Sequence, residues 1–156
     1  MLVDPAALAV MGGALALAGG LGGSAIGVGL AGSAGIRTLG IAPGQRRNVI
    51  ILSTIPMTML FYGFIVLLIV VITVLPRITP EVSLGLAVVA VGAFAGVVEF
   101  FSGWYVGSVC AKAIKVLPQT RGGIFINAIV LTSLPQLLGV FGMVFSIMTL
   151  SLIGLM

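Results

Sequence analysis

The sequence has no histidine, a single cysteine and only three acidic residues, and charged residues make up 6% of its 156 positions. Soluble domains carry about 25% charged residues. A chain this poor in charge cannot cover a water-facing surface, which excludes most soluble enzymes, nucleic-acid binders and disordered tails. Without histidine or an acidic cluster, neither a catalytic metal site nor a Ser-His-Asp triad has residues to use. The lone Cys110 excludes a disulfide framework and a cysteine-based metal site. Seven basic residues give a net charge of +4, but seven scattered cations make no nucleic-acid patch. In a membrane protein they set orientation. No phosphate loop is present, so no catalytic residues are assigned.

What is present is apolar. Hydrophobic residues make up 60% of the chain, the mean hydropathy is +1.37, and four apolar stretches run roughly over 6–36, 48–75, 82–111 and 123–156. Each exceeds the ~20 residues that cross a hydrocarbon core about 30 Å thick. Proline and glycine punctuate the breaks at Gly40–Arg47, Pro76–Glu81 and Leu117–Gly123. Lipid tolerates no open sheet edge, and no alternation of period two is seen, so the stretches read as helices. The fold expected is an all-α membrane protein with four transmembrane helices. The start of the chain lacks the basic region of a cleaved leader and carries Asp4.

Six of the seven basic residues flank the first and third breaks: Arg37, Arg46, Arg47, Lys112, Lys115 and Arg121. The positive-inside rule makes the loops at 37–47 and 112–121 cytoplasmic, with both termini and the Pro76–Glu81 loop outside or lumenal. The two halves repeat. Ser53–Gly63 aligns with Thr132–Gly142, so that Pro56 and Pro135, like Gly63 and Gly142, stand 79 residues apart. The chain therefore divides into two tandem helical hairpins, 1–78 and 79–156.

The first helix carries small residues every fourth position, Gly19, Gly23, Gly27, Ala31 and Gly35, and a second row at Gly12, Ala16 and Gly20. The third carries Gly92, Gly96, Gly103, Gly107 and Ala111. Such stripes let membrane helices approach closely. Each glycine costs a helix roughly 1 kcal/mol against alanine, and ten lie between Gly12 and Gly35. Dense packing must offset that cost. Packing within one chain is the simpler account. A ring of many copies, with the first and third helices on its crowded inner circle, is the sharper one.

Glu99 sits midway along the third helix. Ionisable residues inside membrane segments are expensive and by default functional. The 19 residues to Pro118 span about 28 Å at 1.5 Å each, which puts Glu99 near mid-membrane on the small-residue face. Apolar neighbours favour its neutral form, and a carboxyl that is neutral in lipid and charged in water can carry one proton. The alternative is a structural hydrogen bond from a protonated Glu99 to a carbonyl or to Gln136. Gln136 is the expected partner, its level differing by about 6 Å. Thr58, Ser102, Ser133 and Thr132 offer hydroxyls, each of which could instead bond its own helix. Several oxygens around the carboxylate would be needed for Na⁺, and no second acid is available, so the apolar flanks favour H⁺. No cofactor is expected.

Two hairpins, a glycine-striped first helix and a Pro-X-Thr segment ending in an aromatic and glycine resemble the duplicated proteolipid (c or K) subunit of V-type and archaeal-type rotary ATPases. The matching segments are Pro56-Met57-Thr58-Met59-Leu60-Phe61-Tyr62-Gly63 and Pro135-Gln136-Leu137-Leu138-Gly139-Val140-Phe141-Gly142. The resemblance implies an ion-translocating rotor-ring subunit that assembles with copies of itself in lipid. It implies a stator partner bearing a cationic arginine and a central stalk at the basic loops, with nucleotide chemistry in other subunits. The family's ion-carrying glutamate maps onto Met57 and Gln136, neither of which ionises. Either Glu99 takes over that role from the inner helix, or the chain is a ring subunit that carries no ion. An unrelated four-helix scaffold is the reading outside this family.

Overall fold

The computed structural model describes residues 4–156, which form four long apolar rods joined by short connections. Residues 1–3 of the expected 1–78 unit lie outside the described residues. Helix α1 spans Pro5–Ile41. Its start is set locally: the Asp4 carboxylate accepts from the Ala6 N–H at 3.0 Å, and Pro5 occupies the first turn, where its missing N–H costs nothing. The second rod, Pro43–Arg77, is broken. It comprises α2 (Arg46–Thr54), a three-residue 3₁₀ turn at Ile55–Met57, α3 (Thr58–Ile69), then a π turn at Val70–Val74 leading into a 3₁₀ turn around Pro76. Helix α4 spans Val82–Val116 and α5 Phe125–Leu152, with Pro135 inside α5. No strand occurs among the described residues.

The inner pair is α1 and α4. A methyl group added to Gly12 or Gly92, or to Gly27 or Gly107, would collide with the backbone of the opposite helix, so the small-residue stripes face each other and the two backbones touch. The Thr38 hydroxyl crosses the same seam and donates to the Ile114 carbonyl at 3.1 Å. The second rod packs on α1, and α5 on α4, as outer helices of two hairpins. The core is layered along the bundle. One layer holds Ala31, Leu52, Cys110, Ile114 and Ala128, the middle holds Ala16, Val66 and Ala95, and the far layer holds Ala9, Val70, Val88 and Leu150.

This layering puts the first and third loops at one end, with six of the seven basic residues. Asp4, Arg77 and Glu81 lie at the other. The two basic loops touch. The Leu117–Gly122 turn closes through the Gly122 N–H donating to the Leu117 carbonyl at 2.9 Å. Gly122 has φ +87°, a conformation glycine adopts at little cost. A Cβ there would come within 3.0 Å of the Gln45 side chain. Outward faces of the outer rods carry exposed Phe61, Ile72, Leu134, Leu138 and Phe145, surfaces suited to lipid or to neighbouring copies rather than to water.

Candidate ion-carrying site

Each hairpin is pinned at its proline by an inner-helix serine. In an unbroken helix the Pro56 carbonyl would accept from the Leu60 N–H, four residues on. Here the Ser24 hydroxyl stands between them, donating to the Pro56 carbonyl at 2.9 Å and accepting from the Leu60 N–H at 2.9 Å. This inserted side chain accounts for the break between α2 and α3. In the second hairpin Ser102 donates to the Pro135 carbonyl at 2.6 Å, without a matching bond from the outer-helix amide, and α5 runs on unbroken. The prolines are repeat equivalents while the serines are offset by one position, Ser24 aligning with Gly103, yet each serine meets the proline of its own hairpin.

Beside the opened helix lies Glu99. It has no solvent exposure, and neither carboxyl oxygen has a hydrogen-bond partner. Its direction follows from helix geometry. Val98 and Ser102 take the side of α4 that meets α5: a Cβ on Gly142 would meet the Val98 side chain at 2.7 Å, and one on Gly139 would lie 3.0 Å from the Ser102 hydroxyl. Glu99 is turned about 100° from Val98. Its Oε2 reaches the seam between α1 and α3, where a Cβ on Gly20 would come within 3.0 Å of it and one on Gly63 within 2.7 Å. The carboxyl thus occupies volume left by two missing side chains. Gly20 stands 79 residues before Glu99, so the acid in one repeat rests on its glycine counterpart in the other. Buried Met59 and Val66 on α3 and Ala16 on α1 belong to the same mid-bundle region.

The other expected site residues are not gathered around this carboxyl. Gln136 is half-buried on α5 and makes no hydrogen bond to Glu99. The Thr58 hydroxyl donates to the Ile55 carbonyl at 3.0 Å, within its own turn. Ser133 donates to the Val130 carbonyl at 2.7 Å on the exposed side of α5. Thr132 bonds the Ala128 and Ile129 carbonyls. Ser102 serves Pro135. Sequence reasoning did not single out Gly20, Gly63 and Ser24 for this site. The signal for Gly20 was available in the repeat offset that aligns it with Glu99. Phe100, Phe101 and Trp104 form an aromatic cluster on α4, Phe101 and Trp104 stacked with ring centroids 6.4 Å apart.

A membrane-embedded carboxyl with no partner and no solvent can do one thing cheaply: exist as the neutral acid. Ionised, it would cost several kcal/mol. It can therefore lose its proton only where water or a cation is brought to it.

Comparison with known proteins gives one match in two parts. The family model for the C subunit of ATP synthase matches residues 11–70 and again residues 85–149, one copy for each hairpin. No curated protein matches the chain in sequence.

Proposed function

From the premise that the chain belongs to the ATP synthase C-subunit family, whose members form rings in the membrane sector of rotary ATPases, we propose that it is the ion-carrying rotor subunit of a V/A-type enzyme. It moves protons by reversible protonation of Glu99. The observation that carries this reading is the Glu99 carboxyl itself, fully buried in the middle of the bundle with both oxygens unpartnered. The duplicated hairpin and the paired Pro56 and Pro135 segments support the V/A-type assignment.

The cycle follows from the cost of charge in lipid. While Glu99 faces its own bundle or lipid it holds its proton. At the stator, an arginine on the partner protein and a water-filled half-channel make the carboxylate tolerable, and the proton leaves. A proton from the second half-channel neutralises it before the next rotational step. Because an uncompensated carboxylate is forbidden elsewhere, proton flow is coupled to rotation. The proton is favoured over Na⁺. A sodium ion needs several oxygens, whereas Oε2 abuts the backbones of Gly20 and Gly63 and no hydroxyl bonds the carboxyl. Gln136 then serves packing, the Thr58 and Ser133 hydroxyls bond carbonyls of their own rods, and Ser102 bonds Pro135 on the outer helix. The six-cation end faces the cytoplasm by the positive-inside rule and meets the stalk, while ATP is hydrolysed or made on other subunits.

The test is Glu99→Gln in the assembled complex, reconstituted in sealed vesicles. ATP-driven acidification is expected to disappear while the ring still assembles. Acidification at the wild-type rate would leave the chain a ring subunit that carries no ion, the reading favoured by non-ionisable Met57 and Gln136. Sidedness is read on the same vesicles: a Gln119→Cys variant is expected to react with an impermeant maleimide from the side that takes ATP.

A further inference from the structure

The glycines at 20 and 63 lie on closely packed helices, and one account of them is close helix approach alone. The added fact is the group aimed between them. A fully buried carboxyl with no partner fills the gap, and the same atom, Oε2, is what a side chain at either position would strike after a single backbone carbonyl. The repeat-equivalent of Gly63 is Gly142, and a Cβ there would meet only the Val98 side chain. The slot is therefore particular to one hairpin. It lies between α1 and α3 of a single chain, so it needs no residue from a neighbouring copy.

We infer that Gly20 and Gly63 are positioning residues that hollow an intramolecular slot for the Glu99 carboxyl and set how readily it leaves its buried seat. This rests on the reading of Glu99 as the ion carrier. Glycine at both positions lets a glutamate reach fully across from α4, while anything larger turns the carboxyl out toward the rim of the bundle. Along the middle of the packed elements the titratable groups are few: Tyr62 beside Gly63, Tyr105 nearly two turns further along α4, and Cys110 in the layer toward the basic loops. No cation stands among them.

The experiment measures the rate at which dicyclohexylcarbodiimide modifies residue 99 in the assembled, detergent-solubilised protein, by mass spectrometry across pH. Gly63→Ala, Gly142→Ala, Glu99→Asp and the Gly63→Ala/Glu99→Asp pair are compared with wild type. Crowding a filled site costs enough to displace a side chain, so Gly63→Ala is expected to raise the plateau rate about ten-fold while Gly142→Ala leaves it near wild type. The shorter aspartate does not reach the slot, so adding Gly63→Ala to Glu99→Asp is expected to change little. Equal rates in wild type and Gly63→Ala, or equal acceleration by Gly63→Ala and Gly142→Ala, would overturn the inference.

A Cβ on Gly63 would also lie 2.5 Å from the Ala16 carbonyl, and Gly63→Ala could fail to assemble on that account. In that case Gly63→Ala is combined with Glu99→Ala. Assembly regained once the carboxyl is gone supports the slot. Assembly still lost makes Gly63 a packing residue only and overturns it. The labelling readout is independent of pumping: a wild-type protein that carries no proton yet labels faster on Gly63→Ala would sink the carrier reading and keep the slot.

Discussion

At the scale of single residues, one carboxyl carries the account. The reading of Glu99 as the carrier starts in the sequence, where no other acid interrupts the four apolar stretches and an acid placed in lipid is costly enough to be functional by default. The depth of Glu99 was legible from the helical rise. Its partner was not. Distance along the membrane normal puts Gln136 within reach, but it says nothing about rotation about the helix axis. One residue of difference from Val98 turns Glu99 from α5 to the α1–α3 seam. What holds it there is two absent side chains, and an absence gives no signal in a single helix read alone. A prediction at this scale follows. Gln136→Leu removes an amide that makes no bond to Glu99, and labelling of Glu99 by a hydrophobic carbodiimide is expected to stay within about two-fold of wild type, less than the change from one neutral hydrogen bond. A ten-fold change would restore Gln136 to the site.

At the scale of elements, the inner helices and the outer helices obey different rules. The stripes on α1 and α4 predict close backbone approach, and Gly12 against Gly92 shows it. Pro56 and Pro135 predict disturbed outer helices, and here the sequence says less than the structure. Both prolines are met by an inner serine, yet only the first helix opens, because only Ser24 also accepts from the amide four residues on. That opening lies about one turn from Gly20 and Gly63, so it borders the carboxyl's slot. Ser24→Ala removes two hydrogen bonds from α1 to the outer helix and is expected to cost about 1–2 kcal/mol. Faster hydrogen exchange at the Leu60 amide is the local readout. Ser102→Ala removes one bond and is expected to cost about half as much. Equal losses, or no change at Leu60, would mean that the inserted hydroxyl holds nothing.

At the scale of the whole molecule, duplication and charge placement organise the chain. Two hairpins, each matched by the same family model, bring six cations to one end and leave the middle of the bundle with a single acid. Composition and repeat made this architecture readable, since lipid admits few solutions for four apolar stretches. Members of the family form rings, and one chain leaves outward apolar faces uncovered. The central claim is that this one acid is the proton carrier, and carbodiimide labelling of the intact assembly across pH, with and without Na⁺, tests it most directly. The reagent takes a protonated carboxyl in an apolar setting. The account predicts modification at Glu99, slowing as pH rises and indifferent to Na⁺. Protection by Na⁺, or no modification of Glu99 at any pH, would contradict it.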